Sequence, residues 1–372
     1  LPLAHSLARV VQFVVLDVGG TVAFWRGDPT RVPADLAELH PTHLPAVPRV
    51  FEKIRTRALA TAEDGGRLQR VGLAWALGVG RRVRVAERAG RPVGRLLAAE
   101  HRVADRLALA RVRALFGPDL RLALTGAAPM PREVIEFFDA CGVLILEGYG
   151  LTETTAAGTL NTERAVRFGS VGRPLPGSEV AIAADGEIVL RGPHVFPGYH
   201  DDPAATAAAL SEDGWLRSGD LGRIDGDGYV HVTGRQKDLI ITSSGKNVSA
   251  ANVEAALREI RWVSQAVAYG DGRPYLVALL TLDPEEAGAL ADRVGAQTAA
   301  IPTLAADERV RALLGEELDA VNRRFARIEQ IKRFDVLDSD LTQAGGDLTP
   351  TQKVKRAVVH RRHAARFAAL YD

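Results

Sequence analysis

The pattern of apolar and polar positions changes character twice along the chain. Up to about residue 170, short apolar runs alternate with stretches of helical spacing: Leu120-Arg-Leu-Ala-Leu-Thr125, then Pro131 to Ala140, then Val143-Leu-Ile-Leu146. Strand, helix and strand in that order predict a parallel sheet covered by helices. In such sheets ligands sit beyond the carboxyl ends of the strands, where the loops Gly126-Ala-Ala-Pro129 and Gly148-Tyr-Gly150 fall. From about Gly172 to Arg235 the runs shorten: Glu179 to Ala183 and Glu187 to Arg191 flank Asp185-Gly186, a strong hairpin signal. A second pair flanks Asp225-Gly-Asp-Gly228, with Tyr229 to Thr233 alternating in period two, so a small antiparallel unit is expected. After Arg235 come a strand at Leu239 to Thr242, a Ser243-Ser-Gly245 turn, Ser249 as N-cap of a helix through Glu259, and a hairpin around Asp271-Gly272. With the helical, Ala- and Arg-rich stretch from Glu285 to Ile328, this reads as a separate α+β domain.

The expected fold class is therefore α/β, with mostly parallel sheets and helices over 1–171, an antiparallel β region over 172–236 and a smaller α+β domain over 237–372. A length of 372 residues agrees with more than one structural unit. Charged residues at 25% and apolar residues at 47% are ordinary globular usage. The balance of 47 basic against 46 acidic residues gives the chain no general attraction to nucleic acid, so partners must be argued from sites. The single cysteine, Cys141, excludes an internal disulfide framework or thiolate cluster, and a reducing, cytoplasmic setting is expected. The longest apolar run, Phe13 to Trp25, is broken by Asp17 and falls short of the roughly 18 residues that cross a bilayer, which predicts a soluble or peripheral protein. Nothing in the pattern bears on oligomeric state. The chain begins at Leu1 and its one methionine is Met130, so an N-terminal segment is expected to be missing.

The chemistry concentrates in a few segments. Leu146-Glu-Gly-Tyr-Gly-Leu-Thr-Glu-Thr154 leaves a strand and offers small residues, a ring, a hydroxyl and a carboxylate. Gly148 and Gly150 let backbone approach a ligand, Tyr149 can stack on a base, Thr152 can bond a phosphate oxygen, and Glu153 can hold Mg²⁺ through oxygen. The same spacing also suits a glycine-rich turn with an incidental acid. Trp215-Leu-Arg-Ser-Gly-Asp220 and Gly234-Arg-Gln-Lys-Asp238 place an acid and a guanidinium where a ribose diol would be held, or where two turns are capped. Leu348-Thr-Pro-Thr-Gln-Lys-Val-Lys-Arg356 presents Lys353 from a turn.

Taken in order, Tyr149-Gly-Leu-Thr-Glu153, Ser218-Gly-Asp220, Gly234-Arg-Gln-Lys-Asp238 and Thr349-Pro-Thr-Gln-Lys-Val-Lys-Arg356 resemble the adenylate-forming superfamily of acyl-CoA synthetases, adenylation domains and luciferases over nearly the whole chain. Leu1-Pro-Leu-Ala-His5, Pro41-Thr-His-Leu-Pro-Ala-Val-Pro-Arg-Val-Phe-Glu52 and Leu348-Thr-Pro-Thr351 look like the long-chain fatty acyl-CoA synthetases. The resemblance implies activation of a fatty acid by ATP with Mg²⁺, through an acyl-adenylate, and transfer to coenzyme A. By motif, it implies that Gly126, Ala127, Ala128, Pro129 and Tyr149 line an adenine pocket beside Gly148 and Gly150. Thr152 would touch the α-phosphate, Glu153 bind Mg²⁺, and Asp220 and Arg235 hold the ribose. It further implies a lid formed by 237–372 that hinges at Lys237, Lys353 on the reacting groups, and His5, Gly150 and Gly245 in the acyl and coenzyme A region. Residues 1–236 would be a truncated core, because the family's Ser/Thr/Gly-rich loop ending in Lys-Gly, which cradles the triphosphate, precedes the Leu-Pro-Leu-Ala-His phrase.

Three other readings compete. Phe13-Val-Val-Leu-Asp-Val-Gly-Gly-Thr21 looks like the strand-turn phosphate loop of an actin-like sugar kinase, with Asp17 and Thr21 as active groups. A phosphohaloacid-type loop would need a second aspartate where Gly19 stands. Finally, without a triphosphate loop the chain would act as an inactive remnant or an adenosine- or acyl-binding module. The basic tail from Lys353 to Arg366 reads as a solvated helix face or as a graze against anionic lipid.

Overall fold

The computed structural model describes residues 3–24, 31–349 and 352–372. Leu1, Pro2, Trp25, Pro350 and Thr351, which belong to segments discussed above, lie outside them. Two compact units result, 3–218 with 222–232, and 219–221 with 233–372.

The first unit opens with α1 (Ser6–Asp17) and α2 (Val32–Leu39), then β1 (His43–Ala46), α3 (Pro48–Asp64), α4 (Arg67–Arg88), α5 (Arg95–Ala104) and α6 (Ala110–Ala114), so the chain between its first two strands is helical. There follow β2 (Leu122–Thr125), α7 (Arg132–Ala140), β3 (Ile145–Tyr149), β4 (Thr159–Leu160) and β5 (Arg173–Pro174). β1, β2 and β3 pair in parallel, β4 pairs antiparallel to β3, and β5, antiparallel to β4, completes the five-stranded sheet. α7 shows why the strand after it begins later than the apolar run suggests. Gly142 takes φ +83° and the Val143 amide donates back to Phe138 O at 2.9 Å, so Val143 closes the helix before the sheet is entered. The core beneath is aromatic, with Phe51, Phe116 and Phe138 all fully buried and the Phe116 and Phe138 rings edge to face at 5.3 Å. α4 contributes Leu73, Ala76, Val79 and Val83 from one face at helical spacing.

The strand that the sugar-kinase reading places at the start of Phe13 to Thr21 is instead the end of α1, which runs to Asp17. His5 Nδ1 accepts the Leu7 amide at 3.3 Å as N-cap. This overturns the sugar-kinase reading. A phosphate loop needs unpaired amides after a strand, whereas here the amides of Val18, Gly19 and Gly20 already donate to carbonyls of Val14, Leu16 and Val15.

There follow β6 (Glu179–Ile182), β7 (Glu187–Arg191), α8 (Pro203–Ala209), β8 (Leu216–Ile224) and β9 (Val230–Arg235), of which 219–221 and 233–235 belong to the second unit, and β6 to β9 form a four-stranded sheet in sequence order. β6 and β7 are the expected hairpin, closed at Asp185-Gly186. Ile188, Leu190 and Val230 form its small core, with Tyr149 and Leu151 packed against it.

The second unit contains β10 (Leu239–Ile241) and β11 (Asn247–Ser249) as an antiparallel pair, then α9 (Ala250–Leu257), whose N-cap Ser249 accepts the Asn252 amide at 3.4 Å. β12 (Val263–Tyr269) and β13 (Leu276–Leu282) form the hairpin expected around Asp271-Gly272. α10 (Ala287–Val294), α11 (Ile301–Ala306) and α12 (Glu308–Asn322) follow, and β14 (Ile331–Val336) joins β13 in parallel. The last helices are α13 (Arg356–Arg362) and α14 (Ala364–Ala369). Strand alternation splits this sheet between two cores. Leu276, Ala278 and Leu280 pack with α9 to α12, while Val277 and Leu279 face Val359 and Phe367 of α13 and α14. Covering both faces explains why β13 reads as an unbroken apolar run.

Candidate functional site: two half-sites

In the first unit, β2 and β3 run parallel with Thr125 opposite Glu147; β2 ends in the loop Gly126–Pro129, whereas Gly148 and Tyr149, expected in a loop, continue β3 by pairing with Leu160 and Thr159 of β4, so that only Gly150 leaves the strand. The loop approaches β3 closely, since a Cβ added at Gly126 would stand 3.1 Å from Gly148 O. Ala127 has φ +69°, a left-handed conformation that costs a non-glycine residue about 1 kcal/mol and clusters at ligand sites. Gly150 is demanded by sterics, because a Cβ there would lie 2.5 Å from Ala156 O and 2.6 Å from Ala157 Cα.

The next residues form a 3₁₀ turn, Thr152–Thr154. It is held by the buried Thr154, whose Oγ1 accepts the Leu151 amide at 2.8 Å, and it is followed by Thr155 and Ala156 at φ +50° and +77°. Thr152 is left exposed. Glu153 is fixed from both ends: Tyr199 Oη donates to its Oε1 at 2.8 Å and the Phe196 amide to its carbonyl at 2.8 Å. The hydrogen bond to Glu153 pushes the Tyr199 phenol above its ordinary pKa. The Tyr149 ring packs on the core of the small sheet, and His5 stands at the start of α1 as its cap.

Glu147 escaped the sequence reading, although it sits inside the Leu146 to Thr154 segment. It is 8% exposed, and burial drives its carboxyl up to about 8 against the single Gly169 amide that favours the charged form. Its neighbour Thr125 is 2% exposed, and the Thr125 hydroxyl oxygen has no hydrogen-bond partner among the described residues.

The second half-site is built around Asp220, 8% exposed, with Arg235 Nε 3.6 Å from its Oδ1. Lys353 belongs to this group. Its loop is pinned by the Leu348–Val354 bridge, by the Thr349 amide donating to Lys353 O at 2.8 Å and by the Lys353 amide donating to Thr349 Oγ1 at 3.0 Å. Burial, followed by the nearby Arg235 cation, lowers the pKa of the Lys353 amine, while Asp220 and Asp238 oppose the shift. Gly245, at φ +74°, turns the chain between β10 and β11 with open space around its Cα. Lys237 is exposed in the 3₁₀ turn Gln236–Asp238. Asp220, Arg235 and Lys353 are thus brought together, while Thr152, Glu153, Tyr149 and the Gly126–Pro129 loop belong to the first unit. Sequence reasoning gave no role to Asp238, Glu254 or Arg356, which surround the lysine loop.

Three other features carry no site of their own. A cavity of about 360 Å³ in the first unit is lined by Arg88, Arg132, Arg167, Phe168 and His231. Each of its arginines already faces a carboxylate, Asp139, Glu136, and Asp225 with Asp227 respectively. In the basic tail, Arg356, Arg362 and Arg366 face Glu254, Asp347 and Asp335. Cys141 is buried at the end of α7, and burial pushes its thiol up to about 12. No described helix is long and apolar enough to cross a membrane.

A model of the AMP-binding enzyme family matches residues 1–200, and a model of the AMP-binding enzyme C-terminal domain matches residues 237–372. This chain belongs to the AMP-binding enzyme family. Among AMP-binding enzymes it is similar to long-chain-fatty-acid–CoA ligase FadD15 of Mycobacterium bovis, 38% identical over 374 residues that cover 100% of this chain and 61% of that protein. It is also similar to long-chain-fatty-acid–CoA ligase ACSBG2 of Gallus gallus, 33% identical over 98% of this chain and 51% of that protein. The chain therefore spans between half and two thirds of the length of these curated relatives. In fold it matches the adenylation domain of a carboxylate reductase from Mycobacterium chelonae, with a TM-score of 0.76 at 23% identity over 100% of this chain and 53% of that one. The A-PCP didomain of a carboxylic acid reductase from Segniliparus rugosus, solved with AMP, gives 0.74 at 24% identity, covering 100% and 47%.

Proposed function

We propose that the chain is the adenylating part of a long-chain fatty acid–CoA ligase, which joins a fatty carboxylate to AMP and passes the acyl group to coenzyme A. The observation that carries this reading is Lys353, a cation held on a pinned loop beside the buried acid Asp220 and Arg235. An acid beside a guanidinium suits a ribose diol, and a lysine next to it suits the charge that builds where a carboxylate meets a phosphate.

In the first step a carboxylate oxygen bonds to the α-phosphorus and pyrophosphate leaves. Asp220 accepts from the ribose hydroxyls, Arg235 donates beside it, Thr152 donates to an α-phosphate oxygen, and Lys353 holds the approaching carboxylate against that phosphate. Glu153 suits Mg²⁺, because magnesium is commonly bound by one or two carboxylates together with substrate phosphates, and Tyr199 already orients this one. When bound, the ion neutralises charge on the phosphate oxygens. In the second step the thiol of coenzyme A attacks the acyl carbon and AMP leaves. We assign 1–236 to the adenylating core and 237–372 to a lid that turns at Lys237, with Gly245 leaving room for the pantetheine arm.

The test is turnover by the full-length protein. With ATP, Mg²⁺ and a panel of fatty acids, pyrophosphate exchange should require a long-chain acid, and coenzyme A should be converted to its acyl thioester. Failure of every fatty acid to support exchange would contradict the reading.

A further inference from the structure

We propose that Arg356 is the positioning residue for Lys353: clamped between Glu254 and Asp238, it makes the lysine loop, α9 and Asp238, the residue after Lys237, one rigid piece. The inference rests on the reading of Lys353 as the adenylation lysine.

Arg356 opens α13, directly after the loop that ends in Val354 and Lys355. Its Nε donates to Glu254 Oε1 at 3.0 Å and its Nη2 to Oε2 at 2.5 Å, a bidentate pair that fixes direction as well as distance. The third nitrogen, Nη1, lies 2.9 Å from Asp238 Oδ2. Glu254 cannot drift, since it is 3% exposed on α9 and its Oε1 also accepts the Ala268 amide of β12 at 3.0 Å. Burial alone would lower the pKa of Arg356, but Glu254 and then Asp238 more than reverse that, so the guanidinium is held charged.

The opposite end of the same loop is closed locally. The Lys355 amide donates to Asp347 O at 2.7 Å, and Arg362 pairs with Asp347 while donating to Gly345 O at 2.8 Å. Those contacts stay within the C-terminal segment, whereas Arg356 reaches 102 residues back to Glu254 and also to Asp238, the neighbour of Lys237. A rotation at Lys237 would therefore carry the amine of Lys353 as part of a solid body, and loss of the clamp would let it wander. A displacement near 1 Å at a reacting group can cost on the order of 10²-fold in rate.

The experiment measures both half-reactions and the thermal unfolding midpoint in the full-length protein: ATP–pyrophosphate exchange, and thioester formation from supplied acyl-adenylate. Arg356→Gln should lower kcat of exchange by roughly 10- to 100-fold, leave KM for ATP within about twofold, and slow the thioester step far less. Arg356→Lys should not rescue it, because an ammonium cannot reproduce the fork. Asp238→Asn, which keeps the pair with Glu254, should lower exchange by a smaller factor in the same direction with an unchanged unfolding midpoint. Unchanged exchange in both Arg356→Gln and Asp238→Asn overturns the proposal. So does an equal fall of both half-reactions that tracks a lower unfolding midpoint, which would make the clamp merely structural. Lys353→Ala separates this inference from its parent: if exchange survives in that variant, the reading of Lys353 fails. If exchange is lost there but intact in Arg356→Gln, only the clamp fails.

Discussion

The two half-sites are built by opposite means. Around Thr152 and Glu153 the geometry comes from backbone: Gly150 with no room for a Cβ, Thr155 and Ala156 in the left-handed region, and Thr154 bonded to its own turn. Around Lys353 it comes from charge, with Asp220, Arg235, Asp238, Glu254 and Arg356 drawn from distant parts of the sequence. Sterics fix the turn at Thr152 and Glu153 from within its own backbone, whereas ion pairs of Arg356 with Asp238 and Glu254 tie the end of the Lys353 loop to residues far away in sequence. Under the proposed function, Thr152 would face the phosphate and Lys353 would move with residues 237–372.

Substitutions on either side should break this contrast differently. The largest effect belongs to Lys353→Ala, which should slow adenylation roughly 10²- to 10³-fold, the typical effect of deleting one transition-state donor; ATP–pyrophosphate exchange measures it. Gly150→Val comes next. Its side chain meets the backbone of Ala156 and Ala157, so it should cost about 1 to 3 kcal/mol of stability in chemical denaturation and cut adenylation as the turn shifts. Lys237→Pro fixes φ at the proposed pivot and should impair the thioester step more than adenylation, a difference that half-reaction assays resolve and that equal losses would contradict. Tyr199→Phe removes one neutral-to-charged hydrogen bond to Glu153, worth about 1.5 to 3 kcal/mol at most. It should raise the Mg²⁺ concentration needed for half-maximal exchange several-fold.

Glu147 gives the smallest effect on rate and a distinctive one on stability. Its pKa rises from 4.5 in the unfolded chain to about 8 in the fold, so between those values the folded protein keeps a proton the unfolded chain has released. Stability from this group is therefore intact below the lower value and falls as pH rises through the window. Glu147→Gln removes the dependence. Its melting temperature relative to wild type should increase steadily from about pH 5 to about pH 8.

Local chemistry was the legible part of this molecule. The Asp185-Gly186 and Asp271-Gly272 hairpins, the Ser249 cap and the β2–α7–β3 unit follow from short-range rules that act within a few residues. The run Phe13-Val-Val-Leu16, which only the sugar-kinase reading took as a strand, is helical because a capped helix start at His5 overrides its β-prone residues. At the site, Asp220 and Lys353 were visible as motif residues. Glu147 was not, since nothing in its neighbours signals that it will be buried. Nor was the Arg356 clamp, because its partner Glu254 lies 102 residues away and the pairing is decided by how β12, α9 and α13 stack.

The proposed function requires Thr152, Asp220, Arg235 and Lys353 to serve one nucleotide. A crystal structure of the full-length protein with a non-hydrolysable acyl-adenylate analogue tests this directly. It should place Thr152 on the phosphate mimic, Asp220 and Arg235 on the ribose, and Lys353 within hydrogen-bond distance of the acyl–phosphate junction. An analogue held by residues of one unit alone, with Asp220, Arg235 and Lys353 turned elsewhere, would contradict it.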